Sequence, residues 1–224
     1  MAAIRQQFDK KLEDLRQRIL ELGTLVEERI ALAVSALYAQ NLETANSVIV
    51  GDLELNQLQH LIEEKCIILI ATQQPLARDL RKVVAGFKIS LHLERMGDLA
   101  VNLAKVTISI GKENLIKPLI DIPRMSTLVQ EMIAKGLTAY IREDVAMAKE
   151  MSEIDHQVDH LYAQIFRELL VLMMSDPRTI NQANHLLFAA HHMERMGDYC
   201  TNIAEEIVYI VTGNHLDLNQ PEQN

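Results

Sequence analysis

Apolar residues Ile4, Phe8, Leu12, Leu15, Ile19, Leu22, Val26, Ile30, Val34 and Leu37 step along the chain by threes and fours without a break. Residues at that spacing share one face of an α-helix, so the pattern predicts a single long bundle helix over roughly residues 3–40. The same stripe recurs as Met125, Val129, Met132 and Ile133, and again as Ile154, Val158, Leu161, Ile165 and Leu169. It is interrupted at 41–44 (NLET), 73–75 (QQP), 111–123 (GKENLIKPLIDIP), 150–152 and 175–177 (SDP). In QQP and SDP a proline falls near the first turn of the next helix, where its missing N–H costs nothing. Helices are expected at about 3–40, 44–73, 76–110, 122–148, 152–175 and 178–211.

One stretch is spelled twice. HLERMGDLAVNLA at 92–104 returns as HMERMGDYCTNIA at 192–204. Aligning the two makes helices one to three correspond to four to six. Asp52 then falls opposite Asp155, Asn56 opposite Asp159, Leu58 opposite Leu161 and Pro75 opposite Pro177. The fold class read from this is all-α: six helices forming two repeated three-helix bundles by internal duplication. The first bundle is expected over 1–113 and the second over 114–212, with a frayed polar tail at 213–224.

Composition agrees with long helices, because eight Gly and five Pro in 224 residues leave little turn punctuation. A formal charge of −9 argues against a nucleic-acid partner, and RDLRK at 78–82 is too short a basic run to reverse that. No segment approaches the ~18 uninterrupted apolar residues of a membrane span, and MAAIRQQFDKK lacks the apolar middle of a secretory signal. The expectation is a cytoplasmic protein without direct membrane insertion. Cys66 and Cys200, with no metal-ligand spacing between them, read as reduced core residues.

The polar residues of the doubled stretch need a separate reason. Glu94, Asp98 and Asn102 are spaced four apart, as are Glu194, Asp198 and Asn202, so each set stacks on one helix face. Tight helical hairpins pair residues equidistant from the turn. That places Glu194 across from Asp159, Asp198 across from Asp155, Asp98 across from Asp52, and Glu94 across from Asn56 or Leu55. Two unit charges about 6 Å apart repel by roughly 3 kcal/mol at an effective dielectric of about 20, so such a cluster needs a cation, bound protons or a pairing arginine. Oxygen ligands without Cys suit Mg²⁺, Mn²⁺ or iron better than a structural zinc, whereas Arg95 and Arg195 offer the alternative of ordinary salt bridges. With Asn56 in place of an acid, the first copy is expected to bind cations less tightly than the second. Gly97 and Gly197, mid-helix beside the acids, read either as close packing or as room for a ligand. His92, His191 and His192 read as packed or solvated side chains rather than ligands.

ERMGDLAVNLAK, ERMGDYCTNIAEE and QQPLARDLRKV at 73–83 resemble the PhoU family of phosphate-transport regulators over nearly the whole chain. The resemblance implies two similar three-helix bundles and a cytoplasmic regulator rather than an enzyme. Its implied partners are the ATPase subunit of the phosphate ABC transporter and a sensor histidine kinase. A homodimer is expected separately, with the long amphipathic helix 3–40 as its candidate face. It also implies multinuclear clusters of iron, manganese, magnesium or zinc, carried here by Glu94, Asp98 and Asp52 in one copy and by Glu194, Asp198, Asp155 and Asp159 in the other. Two alternatives remain: a helical metalloenzyme of ferritin-like type, and a metal-free structural adaptor. The first fits poorly, since Gly97 and Gly197 occupy the position three after each Glu where those sites carry His.

Overall fold

A computed structural model describes residues 2–218, with side chains from residue 5 onward. The helices are α1 (Ala2–Ala39), α2 (Leu42–Gln73), α3 (Arg78–Ile110), α4 (Asp121–Arg142), α5 (Val145–Lys149), α6 (Met151–Ser175) and α7 (Ile180–Thr212). A 3₁₀ turn at Pro177–Thr179 precedes α7, and no strand occurs among the described residues.

Every member of the α1 stripe from Phe8 to Leu37 is buried, as are Met125, Val129, Met132 and Ile133 of α4. Ile4 lies outside the described side chains. Each copy contributes three helical layers, but the copies share one continuous apolar core. Lys88 Nζ reaches Glu206 Oε1 at 2.9 Å and the rings of His92 and Tyr199 lie 5.8 Å apart, so α3 and α7 run antiparallel across the middle. α1 crosses α4 in the same sense, with Arg16 meeting Glu143. Both cysteines are free and buried.

The helix expected over 122–148 is two. α4 ends at Glu143, whose left-handed backbone (φ 53°) stops the helix, and Asp144 Oδ1 caps α5 by accepting from Met147 N at 3.1 Å. The first copy makes the same corner 103 residues earlier: Gln40 has φ 50°, and Asn41 Oδ1 accepts from Glu43 N and Thr44 N. The break expected at 150–152 is real but slight, because Glu150 keeps right-handed helical angles between α5 and α6. α3 starts at Arg78 rather than 76, since Ala77 takes φ 48°, leaving Pro75 ahead of the helix.

The first residues of the expected frayed tail are ordered. Gly213 (φ 76°) caps α7, the His215 ring stacks on Tyr209 at 4.2 Å, and Leu218 N donates to Glu205 Oε1 at 2.9 Å. Residues 219–224 lie outside the described residues.

Candidate metal centres

The doubled stretch folds alike in both copies: residues 91–100 and 191–200 show the same sequence of buried and exposed positions, residue by residue. Met96 and Met196 point into the core, Arg95 and Arg195 point out, and Glu94, Asp98, Glu194 and Asp198 are half-buried along the flank. α2 faces the first pair and α6 the second.

In the second copy Asp155 comes from the first turns of α6 and is buried at 5% exposure. It forms no hydrogen bond and no ion pair. Burial, followed by the neighbouring charges of Asp159, Asp198 and Glu194, pushes its carboxyl up to about 7. Burial also raises Glu194 and Asp198, with Asp198 and Asp159 respectively as the next cause. Glu194 Oε2 is buried without a hydrogen bond; His191 Nδ1 lies 3.2 Å away but is not aligned to donate. Arg195 stands 3.8 Å from Asp198 Oδ2, long for a hydrogen bond, and leans over the Tyr199 ring.

Gly197 explains how a carboxylate fits there. A Cβ at this position would sit 2.6 Å from Asp155 Oδ1, so the absent side chain is the space the carboxylate occupies. In the first copy a Cβ on Gly97 would instead meet Leu55 Cδ1 at 3.0 Å. Asp52, the counterpart of Asp155, is half-buried and accepts from Asn56 Nδ2 at 2.9 Å. Burial raises Glu94 and Asp98, with Asp98 and Asp52 respectively as the next cause, and Arg95 stays 3.7 Å from both.

Asp155, Asp159, Glu194 and Asp198 thus lie within electrostatic reach of one another, as do Asp52, Glu94 and Asp98, yet they do not form a closed ligand set. Among the described residues no three His, Cys, Asp or Glu side chains converge closely enough to hold a metal ion as they stand. A partnerless buried carboxylate, an orphaned Glu oxygen and a glycine cradle make the second copy fit a hard cation. The first copy, with Leu55 over its glycine and Asn56 satisfying Asp52, fits one less well.

Gly197→Ala is expected to displace Asp155 and weaken cation binding at least tenfold. Gly97→Ala should leave cation binding in the second copy unchanged, its helix-propensity gain of up to ~1 kcal/mol being offset by the contact with buried Leu55. Calorimetric titration with Mn²⁺ and thermal melts of both variants check this; equal effects of the two would show that the cradle is incidental.

A PhoU domain model matches residues 19–107 and 122–207, two consecutive copies that take in most of the chain. The chain belongs to the PhoU family. A phosphate-specific transport system accessory protein PhoU homolog of Caulobacter vibrioides is 40% identical over 216 residues, 96% of this chain and 94% of that protein. A similarly named PhoU homolog of Aquifex aeolicus is 41% identical over 204 residues, 91% of this chain and 92% of that one. The crystal structure of PhoU from Pseudomonas aeruginosa superposes with a TM-score of 0.88 at 35% identity, over 92% of this chain and all of that chain. The phosphate transport system regulatory protein PhoU of Streptococcus pneumoniae gives a TM-score of 0.87 at 33% identity, over 94% of this chain and 99% of that one. These PhoU relatives are named as accessory and regulatory proteins. No helix among the described residues is long and apolar enough to cross a membrane.

Proposed function

We propose that this chain is a cytoplasmic regulator of phosphate homeostasis that restrains a high-affinity phosphate ABC transporter and phosphate-starvation signalling. It acts as an adaptor rather than a catalyst, docking on the transporter's ATPase subunit and on a sensor histidine kinase. Supporting this is the nearly full-length likeness to relatives named as accessory proteins of phosphate-specific transport. The adaptor reading predicts capture of the ATPase subunit by the purified protein when phosphate is plentiful. Capture of neither partner under any phosphate condition overturns it.

The adaptor carries metal in its second copy, and one observation supports this: Asp155 is buried, without a partner, beside three other acids. Asp155, Asp159, Glu194 and Asp198 would hold the cation. A bound divalent or trivalent ion supplies the positive charge that cancels their repulsion and ties α6 to α7. Elemental analysis of protein purified without chelators or a polyhistidine tag tests occupancy. Protein that carries no metal and takes up neither manganese nor iron on soaking would leave the metal-free adaptor as the answer.

Asn56→Asp is expected to tighten Mn²⁺ binding at the first copy about tenfold, because it removes the amide that satisfies Asp52 and adds a ligand. Without metal the same change should lower stability by about 1 kcal/mol through lost hydrogen bonding and added repulsion. Unchanged affinity in a calorimetric titration counts against a site in the first copy.

A homodimer built on this chain has to use a surface other than the α1 stripe, which the fold itself buries. Val50, Leu53, Ile67 and Ile68 of α2 are exposed and available for it.

A further inference from the structure

The corner between α4 and α5 carries a basic cluster that the metal reading leaves unused. Glu143 Oε1 accepts from Arg16 Nη2 at 2.7 Å and pairs with Lys82 Nζ at 2.6 Å, while its Oε2 accepts from Arg78 Nη2 at 2.5 Å. Asp79, the acid within RDLRK, is engaged by Arg5, and the other acid near Arg16 is the exposed Glu13 at 3.9 Å. The Tyr140 side chain is 2% exposed, and its hydroxyl is buried beside Arg16. Three cations thus converge on one carboxylate, in a chain of net charge −9.

The duplication supplies a control. Glu143 corresponds to Gln40, and Lys82 to Gln182. Both glutamines hydrogen-bond to the backbone of the linker between the copies. Gln40 Nε2 donates to Gly111 O and Glu113 O, Gln182 Nε2 donates to Asn114 O, and Gln182 Oε1 accepts from Ile116 N at 2.7 Å. The segment after α7, which corresponds to that linker, passes Gly213 beside the Arg81 guanidinium and then turns back on its own helix through His215 and, at the end of the described residues, Leu218. At the counterpart end the glutamines take backbone partners and Arg178, the equivalent of Arg78, pairs with Asp176, whereas here three cations share one carboxylate, with Arg78 half exposed.

We propose that Arg16, Arg78 and Lys82 form a binding site for a tetrahedral oxyanion of the phosphate type, with the Glu143 carboxylate as its built-in competitor. Guanidinium forks match phosphoryl oxygens two at a time, and a dianion gains more than a carboxylate from three cations in a partly desolvated site. The site lies apart from the acidic clusters and does not rest on the metal reading.

The test is equilibrium dialysis of the full chain against radiolabelled inorganic phosphate, in chelator and at low ionic strength. The wild type is expected to bind; Glu143→Gln should bind on the order of tenfold more tightly, and Arg78→Gln about tenfold more weakly. A purely structural clamp predicts the opposite for Glu143→Gln: lower stability and no gain in affinity. The proposal is overturned if phosphate binds no better than acetate at equal ionic strength, or if affinity is the same in all three proteins. Should Glu143→Gln fail to fold, unchanged affinity in Arg78→Gln is sufficient to overturn it. A phosphoserine peptide that displaces the label at lower concentration than inorganic phosphate assigns the source to a phosphorylated chain. The reverse order assigns it to free phosphate, and both orders uphold the site.

Discussion

Asp155→Asn is expected to make the metal-free protein more stable at pH 7, by a few kcal/mol, while abolishing tight cation binding in the second copy. Loss of a charge stabilises here because burial and three neighbouring acids hold the carboxyl at about 7, against an ordinary value of 3.8. Between those values the folded chain keeps a proton that the unfolded chain has released, so stability falls as pH rises from about 4 to 7. Three pKa units correspond to a ceiling of about 4 kcal/mol. Asparagine fills the same volume beside Gly197 and never ionises, so the variant loses that slope. Urea unfolding in chelator at pH 5 and 7.5 measures it. A variant less stable than the wild type at pH 7.5 would mean that the ionised carboxylate is solvated or hydrogen-bonded, and the case for a resident cation would fall. With Mn²⁺ present the order should invert, because the cation binds the ionised folded state and stabilises it by mass action.

Replacing both His92 and His192 with glutamine should blunt acid unfolding between pH 6.5 and 4. Burial holds each imidazole down to about 4, with Lys88 adding to the effect on His92, and His191 and Arg195 to that on His192. Their folded values lie below the unfolded value near 6.5. Their contribution is therefore complete above pH 6.5 and is lost as pH falls toward 4, by at most about 3 kcal/mol each. Asp155 works in the opposite direction over nearly the same range, so the metal-free wild type should show a shallower acid loss than Asp155→Asn. Circular dichroism along a pH series for the wild type, Asp155→Asn and the double histidine variant separates the three slopes. An acid transition unaltered in the double variant would show that these rings protonate without unfolding the bundle.

The buried faces of the long helices are legible in the sequence because burial of a helix face imposes a period that few other structures share. Phe8 to Leu37, Met125 to Ile133 and, with Leu161 only partly buried, Ile154 to Leu169 lie where the spacing puts them. The α4–α5 break is not visible in that period, since apolar residues continue through Val145, Met147 and Ala148. Its signal is instead the duplication: Gln40–Asn41 and Glu143–Asp144 stand 103 residues apart and make the same corner. The polar pairs across each hairpin are likewise legible, because equal distances from a tight turn bring residues level. Which member of each pair is buried is not.

By itself, then, the chain determined two copies, their helical phase, the acids on each flank and the family, all of which depend on spacing within a helix or between the halves. Tertiary structure alone decided that Asp155 lies under Gly197 and that Leu55 covers the first glycine. It alone gathered Arg16, Arg78 and Lys82 onto Glu143 from helices up to 127 positions apart. The reason is geometric: helical periodicity fixes the direction in which a side chain points, whereas burial and charge convergence depend on how far apart neighbouring helices lie and how they are rotated. Those quantities are set by the whole core at once.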